Sequence, residues 1–145
     1  MKVYKLSSQK NIEKIASQFK DRLVIIDFWS PECGPCLEMK PIYADYARQH
    51  QDGIFLSVNI DECTEMIDIY NIQAMPMFVF IKNHEVIDYM IGADDVELLN
   101  KINKNLKHKM PIDVLERPKV QFNLDEPSQE TEYNSNPQQE FPPNR

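Results

Sequence analysis

The sequence of 145 residues predicts an α/β fold with a central mixed sheet, an antiparallel hairpin at one edge and helices on both faces. Strand-like and helix-like segments alternate along the first 110 residues, which is typical of helices packed against a sheet. The nearly continuous apolar run at 23–29 has the length of a central strand covered on both faces. A turn at 83–85 separates two further apolar runs and predicts the hairpin.

Each helix is predicted from apolar residues that recur at helical spacing, and each strand from a short apolar run. The helices are expected to begin at Ser7 or Ser8, near Cys33, at Thr64 and at Asp94 or Asp95, the last one ending at Leu106. Their apolar positions are Ile12, Ile15, Ala16 and Phe19; Met39, Ile42, Tyr43, Tyr46 and Ala47; Met66, Ile67 and Tyr70; and Val96, Leu99, Ile102 and Leu106. The strands are predicted at 23–29, 54–59, 77–82 and 86–91. Pro41 lies inside the second helix and is expected to bend it.

The proline distribution marks a domain boundary near residue 110. Six of the ten prolines lie in the last 35 residues, which contain no glycine or cysteine. Residues 1–110 are therefore predicted to form the domain, and 111–145 a Pro-rich, acidic and polar tail that is mostly disordered or bound to a partner. Within the tail, Val120, Phe122 and Leu124 alternate with polar residues in a β-like pattern. Such a segment packs back on the domain, docks onto a partner, or is a solvated linker.

Net charge and hydropathy exclude several classes of protein. The net charge of -7 argues against binding nucleic acid or an anionic membrane by bulk electrostatics. No segment approaches the roughly 20 apolar residues of a membrane span, and no apolar run resembles a signal peptide. The expected location is therefore cytoplasmic. An odd number of cysteines, three, does not fit the disulfide framework of a small secreted domain and favours redox chemistry in a reducing compartment.

The chemistry is predicted from Cys33 and Cys36, which flank Gly34 and Pro35 at the start of a helix. This spacing brings both sulfurs to one side of the first turn, within reach of a disulfide. Cys33, at the positive end of the helix dipole, is the expected nucleophile, and Cys36 the thiol that resolves the mixed disulfide. Asp27 is a carboxyl group within an apolar strand, so it is either the base that deprotonates Cys36 or a loop cap at a strand end.

Zinc binding is the rival chemistry for a pair of cysteines at this spacing. A structural zinc site needs four ligands, and beyond the pair the chain offers Cys63 and the scattered His50, His84 and His108. Neither a metal nor another cofactor is expected.

The stretch 24–36, with sequence VIIDFWSPECGPC, resembles the active-site segment of the thioredoxin family. Four later stretches follow in that family's order and spacing, namely 58–61, 75–80, 82–86 and 91–93. The resemblance covers roughly residues 1–108. It implies the thioredoxin fold, a *cis* peptide bond before Pro76, and a substrate site in which the backbone of Met75 pairs with an extended substrate strand. Trp29 is implied to pack under the active-site loop, and Gly92 to allow close backbone approach; both are otherwise core or turn residues.

Some positions depart from the pattern of that family. Glu32 stands where a tryptophan usually precedes the first cysteine, and Leu37 replaces a basic residue after the second. Ser57 stands where a lysine usually lies near the buried aspartate. Cys63 occupies a place where eukaryotic thioredoxins often carry an extra cysteine, and it is either a regulatory or dimer-forming thiol or an ordinary half-buried residue.

Two functions follow from the resemblance. The first is a thiol–disulfide oxidoreductase that reduces protein disulfides, with thioredoxin reductase as a possible electron donor. The second is a structural or regulatory subunit of a larger assembly, in which the tail docks onto a partner protein. Thioredoxin-like light chains of axonemal dyneins are similar in arrangement, which would give a cytoskeletal or axonemal location. An oxidant or isomerase is less favoured, because the Gly34-Pro35 dipeptide resembles that of reductants.

Overall fold

The computed structural model describes residues 2–107. Its strands are β1 (Val3–Leu6), β2 (Val24–Trp29), β3 (Ile54–Asn59), β4 (Met77–Lys82) and β5 (Glu85–Ile91). Its α-helices are α1 (Gln9–Gln18), α2 (Gly34–Gln49), α3 (Glu65–Ile69) and α4 (Asp95–Leu106), and a short 3-10 turn at Ile60–Glu62 precedes α3. The predicted boundary near residue 110 and the predicted tail lie outside the described residues.

The five strands form one mixed sheet in the order β1-β3-β2-β4-β5. Strand β3 pairs in parallel with both β1 and β2, while β4 is antiparallel to β2 and β5 is antiparallel to β4. The predicted central sheet with an antiparallel edge hairpin is thereby confirmed.

The two faces of the sheet are covered by different helices, because successive side chains of a strand point to opposite faces. Even-numbered residues of β2, such as Ile26 and Phe28, belong to an apolar cluster with α1 and α3. Odd-numbered residues, such as Ile25 and Trp29, belong to a second cluster with α2 and α4. Every residue of β2 is buried, which explains why its sequence is an uninterrupted apolar run apart from Asp27.

The structure corrects four details of the sequence interpretation. Strand β1 was not predicted, because four residues are too few for a periodic pattern and only pairing with β3 defines them as a strand. Glu85 belongs to β5 rather than to the turn, which consists of Asn83 and His84, both with positive φ, as tight hairpins require. Val96 is 64% exposed, and Leu98 takes its place in the core. Ile67, expected on the buried face of α3, is 39% exposed, leaving Met66 as the buried residue of that helix.

Other predicted helix features are present. Asp94 caps α4, since its carboxylate accepts the backbone N–H of Glu97 at 3.0 Å. Pro41 lies inside α2 as the sequence indicates, and its bending of the helix stays a prediction. At the start of α1 the structure decides between two serines. Ser8 is the cap, because its hydroxyl accepts the backbone N–H of Asn11 at 3.1 Å.

Replacing Ser8 with alanine should lower the free energy of unfolding by about 1 kcal/mol, because one N–H of the first turn loses its acceptor. The matched control is Ser7→Ala, at the neighbouring exposed serine that does not cap the helix. Chemical denaturation of both variants measures the difference. Equal losses of stability in the two variants would contradict the assignment of the cap.

Candidate active site

The structure joins Cys33 and Cys36 in a disulfide at the amino terminus of α2, with their Cα atoms 5.3 Å apart. Cys33 is the N-cap of the helix, and its sulfur accepts the backbone N–H of Cys36 at 3.2 Å. Gly34 and Pro35 lie in the first helical turn. A proline costs no hydrogen bond at this position, because the N–H groups of the first turn have no acceptor within the helix. The positive end of the helix therefore lies against the Cys33 sulfur and favours its thiolate after reduction.

The two sulfurs differ in their access to solvent. Cys36 is 0% exposed and packs in the cluster of α2 and α4, whereas Cys33 is only partly buried and lies at the margin of that cluster. An incoming disulfide can therefore reach Cys33 and not Cys36. This asymmetry agrees with the predicted order of nucleophile and resolving thiol.

Asp27 lies on the face of β2 that is covered by α2, as its odd position in the strand requires. The residue is 1% exposed, and neither carboxylate oxygen has a hydrogen-bond partner among the described residues. Burial raises the pKa of the Asp27 carboxyl to about 7, against a weaker opposing effect of the Lys40 charge. Asp27 can therefore take or release a proton near neutral pH, and it does not cap a loop.

The loop before β4 supplies the remaining predicted residues. The Met75–Pro76 peptide bond is *cis*, as the resemblance implied. Pro76 is buried, and Met75 packs against both apolar clusters, including the one that holds Trp29 and Cys36. Gly92 donates its backbone N–H to the carbonyl of Pro76 at 2.9 Å. The expectation that Gly92 allows close backbone approach is not met, because no atom lies within 4 Å of the position that a Cβ would occupy. A glycine is favoured here by its φ of 116°, which other residues rarely adopt.

Comparison with known proteins decides the family. The thioredoxin family model matches residues 2–105. The chain belongs to the thioredoxin family. It is 38% identical to thioredoxin of *Geodia cydonium* over 101 residues, which are 69% of this chain and 95% of that protein. It is 41% identical to an H-type thioredoxin of *Oryza sativa* subsp. *indica* over 85 residues, covering 59% of this chain and 70% of that one.

The fold is also that of solved thioredoxins. The crystal structure of *Schistosoma mansoni* thioredoxin superimposes with a TM-score of 0.68 at 34% identity, covering 71% of this chain and 94% of that one. Family membership together with the Cys33–Cys36 pair makes this chain a thiol–disulfide oxidoreductase of the thioredoxin type.

Lys40 is a residue of this thioredoxin-family site that the sequence interpretation missed. Its side chain is 4% exposed, and its Nζ lies 3.3 Å from the centroid of the Trp29 ring. A cation over the face of a tryptophan is attracted by the ring quadrupole, which offsets part of the cost of burying the charge. Lys40 follows Cys36 by four residues, and this helical spacing is the signal that places it on the buried face of α2.

Lys40 supplies positive charge where Ser57 does not. Ser57 is directly opposite Asp27 in the parallel register of β2 and β3, and it is 0% exposed. The ammonium group of Lys40 attracts the Asp27 carboxylate and thereby limits the rise of its pKa. In this chain the positive charge that acts on Asp27 therefore comes from Lys40 of helix α2 and not from a residue of strand β3.

Cys63 is a free thiol on the other side of the sheet, in the cluster of α1 and α3. It is 4% exposed, and burial together with a hydrogen bond to Glu65 raises the pKa of its thiol to about 12. A neutral and buried thiol reacts slowly, so the geometry favours a packing role for Cys63 over a regulatory one.

The rim of the dithiol is acidic and apolar. Glu32 is exposed beside Cys33, and Leu37 is 41% exposed beyond Cys36. Among residues 2–107, no group of three or more histidine, cysteine or acidic side chains is placed to hold a metal ion. In the same residues, no helix combines the length and apolar character needed to cross a membrane.

Replacing Asp27 with asparagine should change how stability depends on pH. The folded-state pKa, about 7, lies above the unfolded value of 3.8, so the ionisation of Asp27 does not destabilise the fold below about pH 4 and destabilises it progressively more up to about pH 7. For the oxidised protein, the stability of Asp27→Asn relative to wild type should therefore rise over this interval by on the order of 4 kcal/mol, then level off.

Denaturation across this pH range measures the effect, with Asp21→Asn at an exposed position as the matched control. Parallel stability curves for wild type and Asp27→Asn would contradict the raised pKa.

Replacing Lys40 with methionine should raise the pKa of Asp27 further, because the substitution removes the attracting charge and keeps an apolar side chain beside Trp29. Titration of the Asp27 carboxyl carbon by NMR measures the midpoint directly. Lys20→Met, at an exposed lysine, is the control and should leave the midpoint unchanged. The electrostatic role of Lys40 is refuted if Lys40→Met and wild type titrate at the same pH.

Proposed function

We propose that this chain reduces protein disulfides with the Cys33–Cys36 dithiol. The observation that carries the proposal is the asymmetry of the pair: Cys33 is an accessible N-cap sulfur, and Cys36 is a fully buried one. A substrate disulfide can contact only the Cys33 sulfur. The Cys36 sulfur is already held beside Cys33, so it can break the mixed disulfide and release the product without a second thiol from solution.

The reaction begins when the Cys33 thiolate attacks one sulfur of the substrate disulfide. The substrate disulfide breaks, its other sulfur leaves as a thiolate that takes a proton from water, and a mixed disulfide with Cys33 forms. Cys36 then transfers its proton to the Asp27 carboxylate and attacks the Cys33 sulfur. The second substrate thiolate leaves and is protonated, so two electrons have passed to the substrate and Cys33–Cys36 is a disulfide.

A carboxyl group with a pKa near 7 suits this second step, because it accepts a proton at neutral pH and returns it when the dithiol is regenerated. Regeneration needs a two-electron donor that reduces Cys33–Cys36, and a thioredoxin reductase is the proposed class of donor. The proposed compartment is the cytoplasm, where such a donor keeps the dithiol reduced.

Substrate binding is assigned to the loops around Cys33. In the proposal the backbone of Met75 pairs with an extended segment of the substrate, and Gly92 holds the Pro76 loop through its hydrogen bond. Trp29 supports the base of the site from the buried cluster. Glu32 gives the rim a negative charge, which favours substrates with basic residues beside the disulfide.

Three cysteine variants test the proposal in an insulin-reduction assay with dithiothreitol as the electron donor. Cys33→Ser should lower turnover by at least about a hundredfold, because the nucleophile is lost. Cys36→Ser, reduced beforehand and mixed with insulin after the dithiothreitol has been removed, should stop after one mixed disulfide per chain, detected by mass spectrometry, because resolution is lost. Cys63→Ser is the matched control and should keep wild-type turnover. If Cys36→Ser traps no substrate, the proposed order of attack is wrong.

The second candidate function is that of a structural or regulatory subunit, as in the dynein-type arrangement. The 38 residues that follow the described domain favour it, since they provide a segment that a larger assembly can bind. The same assay separates the two functions. Wild-type turnover like that of an ordinary thioredoxin favours the enzyme, whereas a folded wild type without turnover favours the subunit.

A further inference from the structure

An apolar groove lies on the face of the sheet opposite to the dithiol. It has a volume of about 350 Å³ and runs between the end of α3 and the outer part of β4 and β5. Its lining is mainly apolar, with Ile69, Tyr70, Met77, Val86, Tyr89 and Ile91 among its residues, and it also includes the polar Asn71 and Gln73. Val86, Tyr89 and Ile91 of β5 are 54%, 56% and 44% exposed, so the strand presents three large apolar side chains to solvent on one face.

Helix α3 has only five residues, and its last residue, Ile69, lines the groove together with Tyr70. Strand β5 is also an edge of the sheet, since it pairs only with β4 among the strands of residues 2–107. An apolar face beside an unpaired strand edge is a surface that proteins normally cover, because it invites association. The structure thus shows an apolar lining beside a strand edge. On that edge the backbone N–H of Tyr89 already donates to Asp88 Oδ1 at 2.9 Å, so an added strand pairs with the other backbone groups of β5.

We propose that residues 120–124 of this chain cover the groove by adding a sixth strand to the free edge of β5. In an extended strand Val120, Phe122 and Leu124 point to the same side, which would be the side of Tyr89 and Ile91. Pro118 and Pro127 bracket the segment and no proline lies between them, so every residue from 119 to 126 keeps its backbone N–H for pairing.

The chain leaves the described domain next to β5 on the face that α2 and α4 cover, so the linker passes around the β5 edge to reach the groove. Helix α4 ends at Leu106, and the carbonyl of Asn105 accepts a hydrogen bond from Lys82 Nζ at 3.1 Å. Lys82 ends β4 and pairs with Glu85, so the chain departs beside the first residue of β5. The residues between 107 and 120 can span about 40 Å, whereas a seven-residue strand is only about 23 Å long.

Tethering favours this occupant over a second copy of the chain or a separate partner. A segment attached through a short linker is present at an effective concentration of about 1 mM, far above that of most partners in solution. Because the segment is tethered, its docking avoids most of the translational and rotational entropy that a separate molecule loses on binding. The contacts in the groove need only offset the conformational entropy lost when the segment becomes ordered.

Hydrogen exchange of the full-length protein tests the proposal at the amides of residues 85–91. Phe122→Asp should make the edge amides of β5 exchange roughly tenfold faster, because the added strand loses its central apolar contact. The matched control is Phe141→Asp, which introduces the same change elsewhere in the segment beyond residue 107 and should leave exchange unchanged. In the groove, Tyr89→Asp should expose the amides of residues 120–124, and Val96→Asp at an exposed site outside the groove should not.

A photoreactive benzoylphenylalanine at position 122 identifies the contact and its origin. Crosslinks to groove residues within one chain, seen in a mixture of 14N- and 15N-labelled protein, are the expected result. Crosslinks between differently labelled chains would overturn the proposal in favour of a second copy. Exchange at β5 that is equal in wild type and Phe122→Asp would overturn it as well. Near-ultraviolet circular dichroism of Trp29 verifies that each variant is folded, independently of redox activity.

Discussion

Burial of Asp27 in the central strand constrains the rest of the active site. A carboxyl group that is 1% exposed cannot ionise as freely as one in water, and its pKa rises to about 7. Because side chains alternate across β2, the same group must face α2, the helix that begins with the dithiol. The cost of keeping a charged form available there is reduced by Lys40, which itself lies against Trp29. The carboxyl group, the ammonium group and the aromatic ring are therefore linked through Lys40.

The two ends of the dithiol are held by different physical effects. Cys33 is fixed by the start of a helix, where unpaired N–H groups favour a negative sulfur. Cys36 is fixed by apolar packing, where its thiol is shielded from solvent. A substrate therefore meets a reactive and accessible sulfur first. In the proposed mechanism the buried partner becomes reactive when Asp27 removes its proton, which couples the second step to that carboxyl group.

The opposite face of the sheet has another character. It contains the neutral and buried Cys63, and at β5 it contains an apolar groove beside a free strand edge. Redox chemistry and interaction surface are thus separated by the thickness of the sheet. Docking of residues 120–124 at this edge would leave the rim around Cys33 open. The proposed reductase and the proposed docking surface are compatible, and each can fail without the other.

The sequence alone determined the features that local patterns encode. The apolar run at 23–29 predicted a central strand, and the spacing of Cys33 and Cys36 before a helical pattern predicted an N-terminal dithiol. Asp27 was recognised because a carboxyl group in such a run is exceptional. These predictions succeeded because each depends on a few neighbouring residues and on regular strand or helix geometry.

Only the tertiary structure decided which residues meet across elements. Strand β1 becomes a strand by pairing with β3, and Lys40 becomes part of the site by facing Trp29 and Asp27 from another element. The exposure of Val96 and Ile67 depends on which face α4 and α3 turn toward the sheet. The free edge of β5 is likewise a property of strand order. Such contacts depend on distances between segments far apart in the chain, which no local pattern of residues specifies.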